Sequence, residues 1–340
     1  MVAIDLKLLK PVHISIPTVS TRLNKTDYWG AVKVRWGIGR NHYTVNPGLY
    51  KIGNPTTQSD VFVSANYKLS FDALRKNLHG FNAWILVIDT KGINVWCAAS
   101  KGTFGTNNLS QSIKKVSLES IVKHRTIIVP QLGATGVSAH RTKELTGFRV
   151  VFGPVQAKDI TAFIENGYKA SPEMRKITFP IKERAKLIPV ELTGGKYKLL
   201  LVAFLFFMFA GLDKSGFLFN KMLETFHFPI INVFTSFLVG VIAVPLLLPF
   251  VPVRSFAFKG ALLNIIMLAS FWATSTVPTL EIAAMAMIST SIASFTAMCF
   301  TGSSTYTSLS GVKKEMKWAI PLQITIAAIG FILFTVSKLI

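Results

Sequence analysis

Apolar and polar positions follow two regimes along the chain, and the change comes near Lys198. Before it, short apolar runs alternate with amphipathic stretches. Residues 60–66 (DVFVSAN) and 82–89 (NAWILVID) are short, rich in β-branched residues and bounded by polar or turn residues, the pattern of buried strands. Residues 126–129 (TIIV) and 148–152 (FRVVF) repeat it. Between these runs, 71–78 puts Phe71, Leu74 and Leu78 on one helical face, and 109–124 spaces Ile113, Val116, Ile121 and Val122 for a buried stripe. A helix over 157–165 closes the set. Strands separated by helical patterns predict an α/β domain over 58–170 with a parallel, doubly wound, Rossmann-like sheet. Residues 1–57 are rich in turn formers (Gly37, Gly39, Asn46-Pro47-Gly48, Gly53-Asn54-Pro55) and read as an irregular arm, with short strands or a hairpin near Tyr43 to Tyr50.

A linker over 171–196 carries Pro172, Pro180, Pro189 and Gly194-Gly195 with Lys176, Lys182, Arg184, Lys186 and Lys196, a basic stalk suited to anionic headgroups. The remainder, 197–340, predicts an all-α transmembrane domain of about five helices. The runs 197–213, 229–252, 257–275, 278–300 and 318–338 are set against the ~20 apolar residues that a crossing needs. Gly240, Pro245 and Pro249 predict a kink in the second, and the Ala, Ser and Thr content of the fourth favours close helix packing.

Charge then fixes an orientation. The net charge is +21, from 37 Lys and Arg against 16 Asp and Glu. With membrane helices present, this reads as the cytoplasmic excess of the positive-inside rule. No interleaving of basic and aromatic residues marks a nucleic-acid surface. The amino terminus has no apolar signal region. The expectation is a multi-pass protein of the cell (inner) membrane with its α/β domain cytoplasmic, Arg254, Lys259, Lys313, Lys314 and Lys317 on cytoplasmic loops, and Lys214 and Lys221 outside. Glu281 then falls at the interface. The two cysteines, Cys97 and Cys299, lie far apart and form no disulfide framework. Two thiols are also too few for an iron–sulfur cluster, which takes about four ligands, so electrons would come from another protein.

The candidate chemistry lies just past the second strand. Residues 92–106 read GINVWCAASKGTFGT, and Cys97 stands near a strand's carboxyl end, where open α/β sheets collect their functional residues. Asn94 is placed to cap a short helix, and the small residues Ala98, Ala99, Ser100 and Gly102 would let a flat ligand lie close to the backbone. Three other strand ends carry small or polar residues: 64–67 (SANY), 130–136 (PQLGATG) and Gly153-Pro154. They surround one crevice or are plain turn chemistry. The six histidines have no metal-ligand spacing, and neither a Ser-His-Asp arrangement nor a phosphate-binding glycine motif is present.

The run Asn94-Val95-Trp96-Cys97-Ala98-Ala99-x-Lys101-Gly102-Thr103-Phe104-Gly105-Thr106 resembles the cap-helix motif of the HgcA family, membrane-bound corrinoid proteins of mercury methylation. The family's distant relative, the corrinoid iron–sulfur protein of the acetyl-CoA pathway, has a similar segment with threonine at the place of Cys97. The resemblance extends to the order of soluble domain and membrane domain. The chain departs from the family at Ser100, where glycine is usual. The resemblance implies a base-off, cobalamin-type corrinoid with the Cys97 thiolate as lower axial ligand to cobalt. It implies corrinoid contacts from Asn94, Val95, Trp96, Ala98, Ala99, Ser100, Lys101, Gly102, Thr103 and Phe104, to which the strand-end loops would add Asn66, Gln131, Gly133 and Gly136. Trp96 and Phe104 pack the cap against the sheet or flank the ring; Lys101 meets a polar group of the corrinoid or stays solvated.

A thiolate is a soft, strong donor. It would favour departure of a methyl group with its bonding electrons, the form that Hg(II) accepts. The expected activity is therefore a corrinoid-dependent methyltransferase that makes methylmercury. The implied partners are a ferredoxin-like iron–sulfur protein of the HgcB type and a methyl donor from folate-linked one-carbon metabolism. Two alternatives stay open: a corrinoid methyl carrier of the acetyl-CoA pathway, against which the cysteine counts, and a transporter or scaffold whose soluble domain binds a ligand. The spans lack the interrupted helices and buried charges of transport sites.

Overall fold

A computed structural model of the protein describes residues 16–272 and 277–340. The chain divides into two units, Met1–Val34 with Gly39–Ile177 and Arg35–Ile38 with Thr178–Ile340.

The first unit begins with α1 (Lys25–Arg35) and strand β1 (Gly48–Ile52), followed by β2 (Val61–Ala65), α2 (Lys68–Asn77) and β3 (Ala83–Ile88). Then come α3 (Val95–Lys101), α4 (Thr106–Lys115), the single turn α5 (Leu118–Ile121), β4 (Thr126–Val129), α6 (Ala139–Thr146), β5 (Arg149–Phe152) and α7 (Ile160–Glu165). The strands form one sheet in the order β1-β3-β2-β4-β5. β3, β2, β4 and β5 are parallel, and β1 pairs antiparallel with β3, Tyr50 opposite Ile85. The expected parallel sheet is thus mixed, because residues 48–52, expected in the arm, add an antiparallel edge strand.

Helices cover both faces. Val63, Leu86, Ile88, Ile127 and Val129 pack with Leu109 and Ile113 of α4 and with Phe104. Phe62, Ile85, Val87 and Ile128 pack with Phe71 and Leu74 of α2, with Leu78 just past it and with Phe163 of α7. β2 and β3 are buried at every residue, as befits strands covered on both sides. The chain passes from β2 to β3 on one side and then crosses to β4 on the other, so the winding reverses at β2. The helix expected over 109–124 is broken: Ser117 takes φ 48°, the left-handed region, and α5 restarts on a different axis.

An ion network ties α1 to α2. Asp27 accepts from Lys68 Nζ at 2.5 Å and Arg75 Nη2 at 2.7 Å, and Asp72 takes the same two cations at 2.7 Å each.

The second unit is helical: α8 (Ile181–Ala185), α9 (Ile188–Phe209), α10 (Phe219–Thr225), α11 (His227–Leu238), α12 (Val244–Leu247), α13 (Phe256–Trp272), α14 (Thr279–Cys299) and α15 (Leu309–Leu339). A two-strand ribbon, Leu212–Asp213 with Gly216–Phe217, joins α9 to α10. Among the described residues, four helical stretches are long and apolar enough to cross a membrane: 181–209, 227–247, 279–302 and 310–339. The third expected span, 257–275, is the shorter apolar helix 256–270, and the end of that expectation, 273–275, lies outside the described residues.

Helix also occupies 181–196, expected as linker. Pro189 stands in the first turn of α9, where its missing N–H costs nothing, and the lack of a side chain at Gly195 admits the Phe237 ring. The kink expected near Gly240 and Pro245 appears as a π-helical turn over Val239–Ala243. Glu281, expected at an interface, is buried and bonded to Lys338 Nζ at 2.8 Å.

Candidate functional site

The site is built from the turn after β3. Asn66, at the end of β2, is buried, and its Oδ1 accepts from the backbone N–H groups of Thr90 and Gly92 at 3.0 Å each. The Thr90 hydroxyl lies 2.8 Å from the same oxygen, and Asn66 Nδ2 donates to Asp89 Oδ1 at 3.2 Å. The turn needs this clamp because Lys91 and Gly92 both take positive φ, 55° and 71°.

From that turn the chain enters α3. Asn94 Oδ1 accepts from the N–H of Cys97 at 2.9 Å, the N-cap bond its position predicts. Gly102 ends the helix with φ 81°, and the N–H groups of Thr103 and Phe104 turn back to Ala98 O at 3.0 and 3.1 Å. Val95, Ala98 and Ala99 face the core, and Phe104 is fully buried beneath them. Phe104 thus packs in the core of the unit.

Gly133 and Gly136 belong to the same packing. A methyl group at Gly133 would meet Phe104 Cε1 at 2.6 Å; one at Gly136 would overlap Phe104 O and lie 3.1 Å from Ala99 Cα. The loop after β4 thus approaches α3 closely enough that only glycine fits. Gln131, half-buried in that loop, donates its N–H to Pro154 O at 3.4 Å.

What α3 leaves outward is a short strip. Cys97, Ser100 and Lys101 stand at i, i+3 and i+4 and share one face. Cys97 is half-buried, while Ser100 and Lys101 are exposed. The Ser100 hydroxyl donates to Trp96 O at 3.3 Å, so it lies along the helix and does not project.

Beside the start of α3 opens a cavity of about 320 Å³. Asn94, Val95 and Trp96 form one wall; Ser64, Pro130 and Pro154 come from the three other strand ends. Each of the three strand ends thus gives a residue to this cavity beside the start of α3, whereas Asn66, Cys97, Gln131, Gly133 and Gly136 are not among its lining residues. The cavity lies at the carboxyl ends of β2 and β4, where the winding reverses, which is where open α/β sheets bind ligands. Ser70 and Ala73 of α2 and Val155 also line it. Sequence reasoning passed over them, although Val155 follows directly on the Gly153-Pro154 loop that it did mark. Among the described residues no group of three or more His, Cys, Asp or Glu side chains gathers to hold a metal ion.

Residues 38–164 match the family model described as CO dehydrogenase/acetyl-CoA synthase delta subunit. The chain is 28% identical over 159 residues to the acetyl-CoA decarbonylase/synthase complex subunit gamma of Archaeoglobus fulgidus, covering 46% of this chain and 31% of that protein. It is 30% identical over 128 residues to the subunit of the same name from Methanopyrus kandleri, covering 37% of this chain and 27% of that one. It is 32% identical over 121 residues to the corrinoid/iron-sulfur protein large subunit of Moorella thermoacetica, covering 35% and 27%. The chain spans less than a third of the length of these relatives, and the family match ends before the helical unit begins. The α/β unit is a distant relative of the acetyl-CoA pathway corrinoid protein.

Proposed function

We propose that the α/β unit is a Rossmann-like corrinoid methyl carrier and that the chain transfers its methyl group to Hg(II), making methylmercury. The relatives' names support the carrier. The observation that carries the acceptor is Cys97, a thiol on the outward strip of a cap helix beside the switch-point crevice.

The residues present fit a corrinoid. On the outward strip of α3, Cys97 and Ser100 are short, Gly102 ends the helix and the exposed Lys101 is long enough to swing aside, so a planar ring has room against it. The neighbouring cavity is walled mainly by apolar side chains and suits the flat nucleotide base of a base-off corrinoid. When bound, the corrinoid supplies a cobalt-held methyl group that a soft metal ion can accept. Cys97 would hold the metal through Sγ, and as a thiolate would supply electron density that favours release of the methyl with its bonding pair. Asn94 fixes the Cys97 backbone, Asn66 fixes the turn that carries it, and Trp96 walls the base cavity. Lys101 remains free to meet an amide or phosphate of the cofactor.

With two cysteines, the chain would draw electrons from an iron–sulfur partner of the HgcB type, and its methyl group from a folate-linked donor. The helical unit would hold it in the inner membrane as a multi-pass protein of about five spans, with the α/β unit cytoplasmic as the charge pattern argues. A second reading, a methyl carrier of the acetyl-CoA pathway, has the relatives' names in its favour.

One experiment separates them. Cys97→Ala and Cys97→Thr are expressed in membranes beside wild type, and cobalt content, the Co(III) optical spectrum and methylmercury output are measured. We expect all three proteins to hold cobalt, both variants to lose methylmercury, and the spectrum to change with the axial ligand. Unchanged spectra with unchanged methylmercury would make Cys97 a packing residue. A wild type that holds cobalt but makes no methylmercury would favour the second reading, and one without cobalt would end both.

A further inference from the structure

The inner face of α1 is committed. Asp27 is buried in the ion network with Lys68 and Arg75, Val34 is 2% exposed, and Gly30 sits so close to the Tyr43 ring that a methyl group there would overlap it. These contacts fix which way the helix faces.

Its outer face is unusual for a protein surface. Trp29 is 65% exposed, Tyr28 55% and Val32 40%, and Trp36, just past the helix, is 46% exposed. Lys25, Trp29 and Val32 fall at i, i+4 and i+7, one continuous stripe. Lys33 is exposed beside the stripe, and Arg35 ends the helix half-exposed. The helix's one acidic residue, Asp27, is turned inward, so the outer face carries cations and aromatic rings without a carboxylate from this helix. Large aromatic side chains exposed together mark an interaction site.

The composition of the stripe says which kind. Trp and Tyr are enriched where a bilayer meets water, because their rings are apolar with one polar edge. Lysine and arginine beside them add attraction to anionic headgroups.

We propose that α1 is an interfacial anchor whose Tyr28, Trp29 and Val32 side chains lie in the headgroup layer of an anionic bilayer, with Lys25 and Lys33 on lipid phosphates. The occupant of this face is lipid, and the site is independent of the corrinoid reading.

The test uses the full chain in nanodiscs of mixed neutral and anionic phospholipid, with a photoactivatable group near the lipid headgroup and adducts mapped by mass spectrometry. Adducts are expected on Trp29 and Val32 as well as on the apolar helices. With Lys25→Glu and Lys33→Glu together, or in nanodiscs of neutral lipid alone, the α1 adducts should fall by about 25-fold, since each of the two basic residues at an anionic surface contributes a factor of ~5. Adducts on α9 and α15 should not change, which confirms that the variant is folded and inserted. If α1 stays unlabelled while α9 and α15 are labelled, the face belongs to a protein surface and the proposal is overturned. Equal α1 labelling in the charge-reversed protein would overturn it as well.

Discussion

Gly136→Ala isolates what holds the cap helix in place. A methyl group at this position would overlap Phe104 O and lie 3.1 Å from both Ala99 Cα and Ala99 O. All three are backbone atoms of the end of α3 and its exit, so no side chain can rotate away; the helix end or the β4 loop must shift. Gly136 does not need positive φ, so the cost is steric alone. Overpacking costs ~1–3 kcal/mol, and contact with backbone on every side puts this case near ~3. For a domain of this size that is a fall of roughly 6–12 °C in melting temperature. Gly102→Ala is the control. It sits at φ 81° with open space around it, so it should lose ~1–2 kcal/mol from backbone strain without displacing the cap. The assay is melting of the α/β unit in the solubilised full chain, followed by proteolytic susceptibility, with bound cobalt measured in parallel. Gly136→Ala should lose stability and cobalt together, and Gly102→Ala should show the smaller loss of stability. A Gly136→Ala protein melting within about 2 °C of wild type would refute the packing argument.

The Asp27 network predicts an acid limb. Burial alone would raise the Asp27 carboxyl, but hydrogen bonds from Lys68, the Asn24 N–H and Arg75 outweigh it and hold the group at about 2, below its usual 3.8. A depressed carboxylate stabilises fully above its unfolded value and loses that contribution as pH falls from ~4 toward ~2. Melting temperature against pH should therefore drop across that window in wild type and run flatter in Asp27→Asn, which should already be less stable at neutral pH. In the helical unit, Glu281→Leu strands a buried Lys338 and should cost ~3–5 kcal/mol, whereas Glu281→Leu with Lys338→Met should recover most of it. Thermal melts of the single and double variants read this directly; a double variant no better than the single would show that the pair is not coupled.

The central strands were legible because burial on both sides leaves continuous apolar runs, and β2, β3, β4 and β5 fall within a residue or two of the expected ranges. β1 was harder: an edge strand with half-buried Tyr50 and Lys51 carries no such run. α6 escaped because its sequence AHRTKELT is polar and buries only Thr142. α9 was placed too late because Pro189 and Gly194-Gly195 read as breakers, whereas one sits in the first turn and the other makes room for Phe237. Asn66, Gly133 and Gly136 drew attention as small or polar residues at strand ends. Sequence could not say that the first clamps a turn and the other two admit Phe104, since each job depends on an atom more than twenty residues away.

These contacts decide where specificity can reside. The interactions that shape α3 run inward or along it: Val95, Ala98 and Ala99 into the core, Asn94 to the Cys97 N–H, and Phe104 under the two glycines. Few side chains are left for a ligand lying against the cap, and of these Cys97 is the one with a soft donor atom. The Asn94 bond holds the backbone of residue 97 and touches nothing of its side chain. Exchanging cysteine for threonine would therefore change the donor from sulfur to oxygen while leaving the helix in place. On this cap, the choice of residue 97 sets the one soft donor atom without any change in fold.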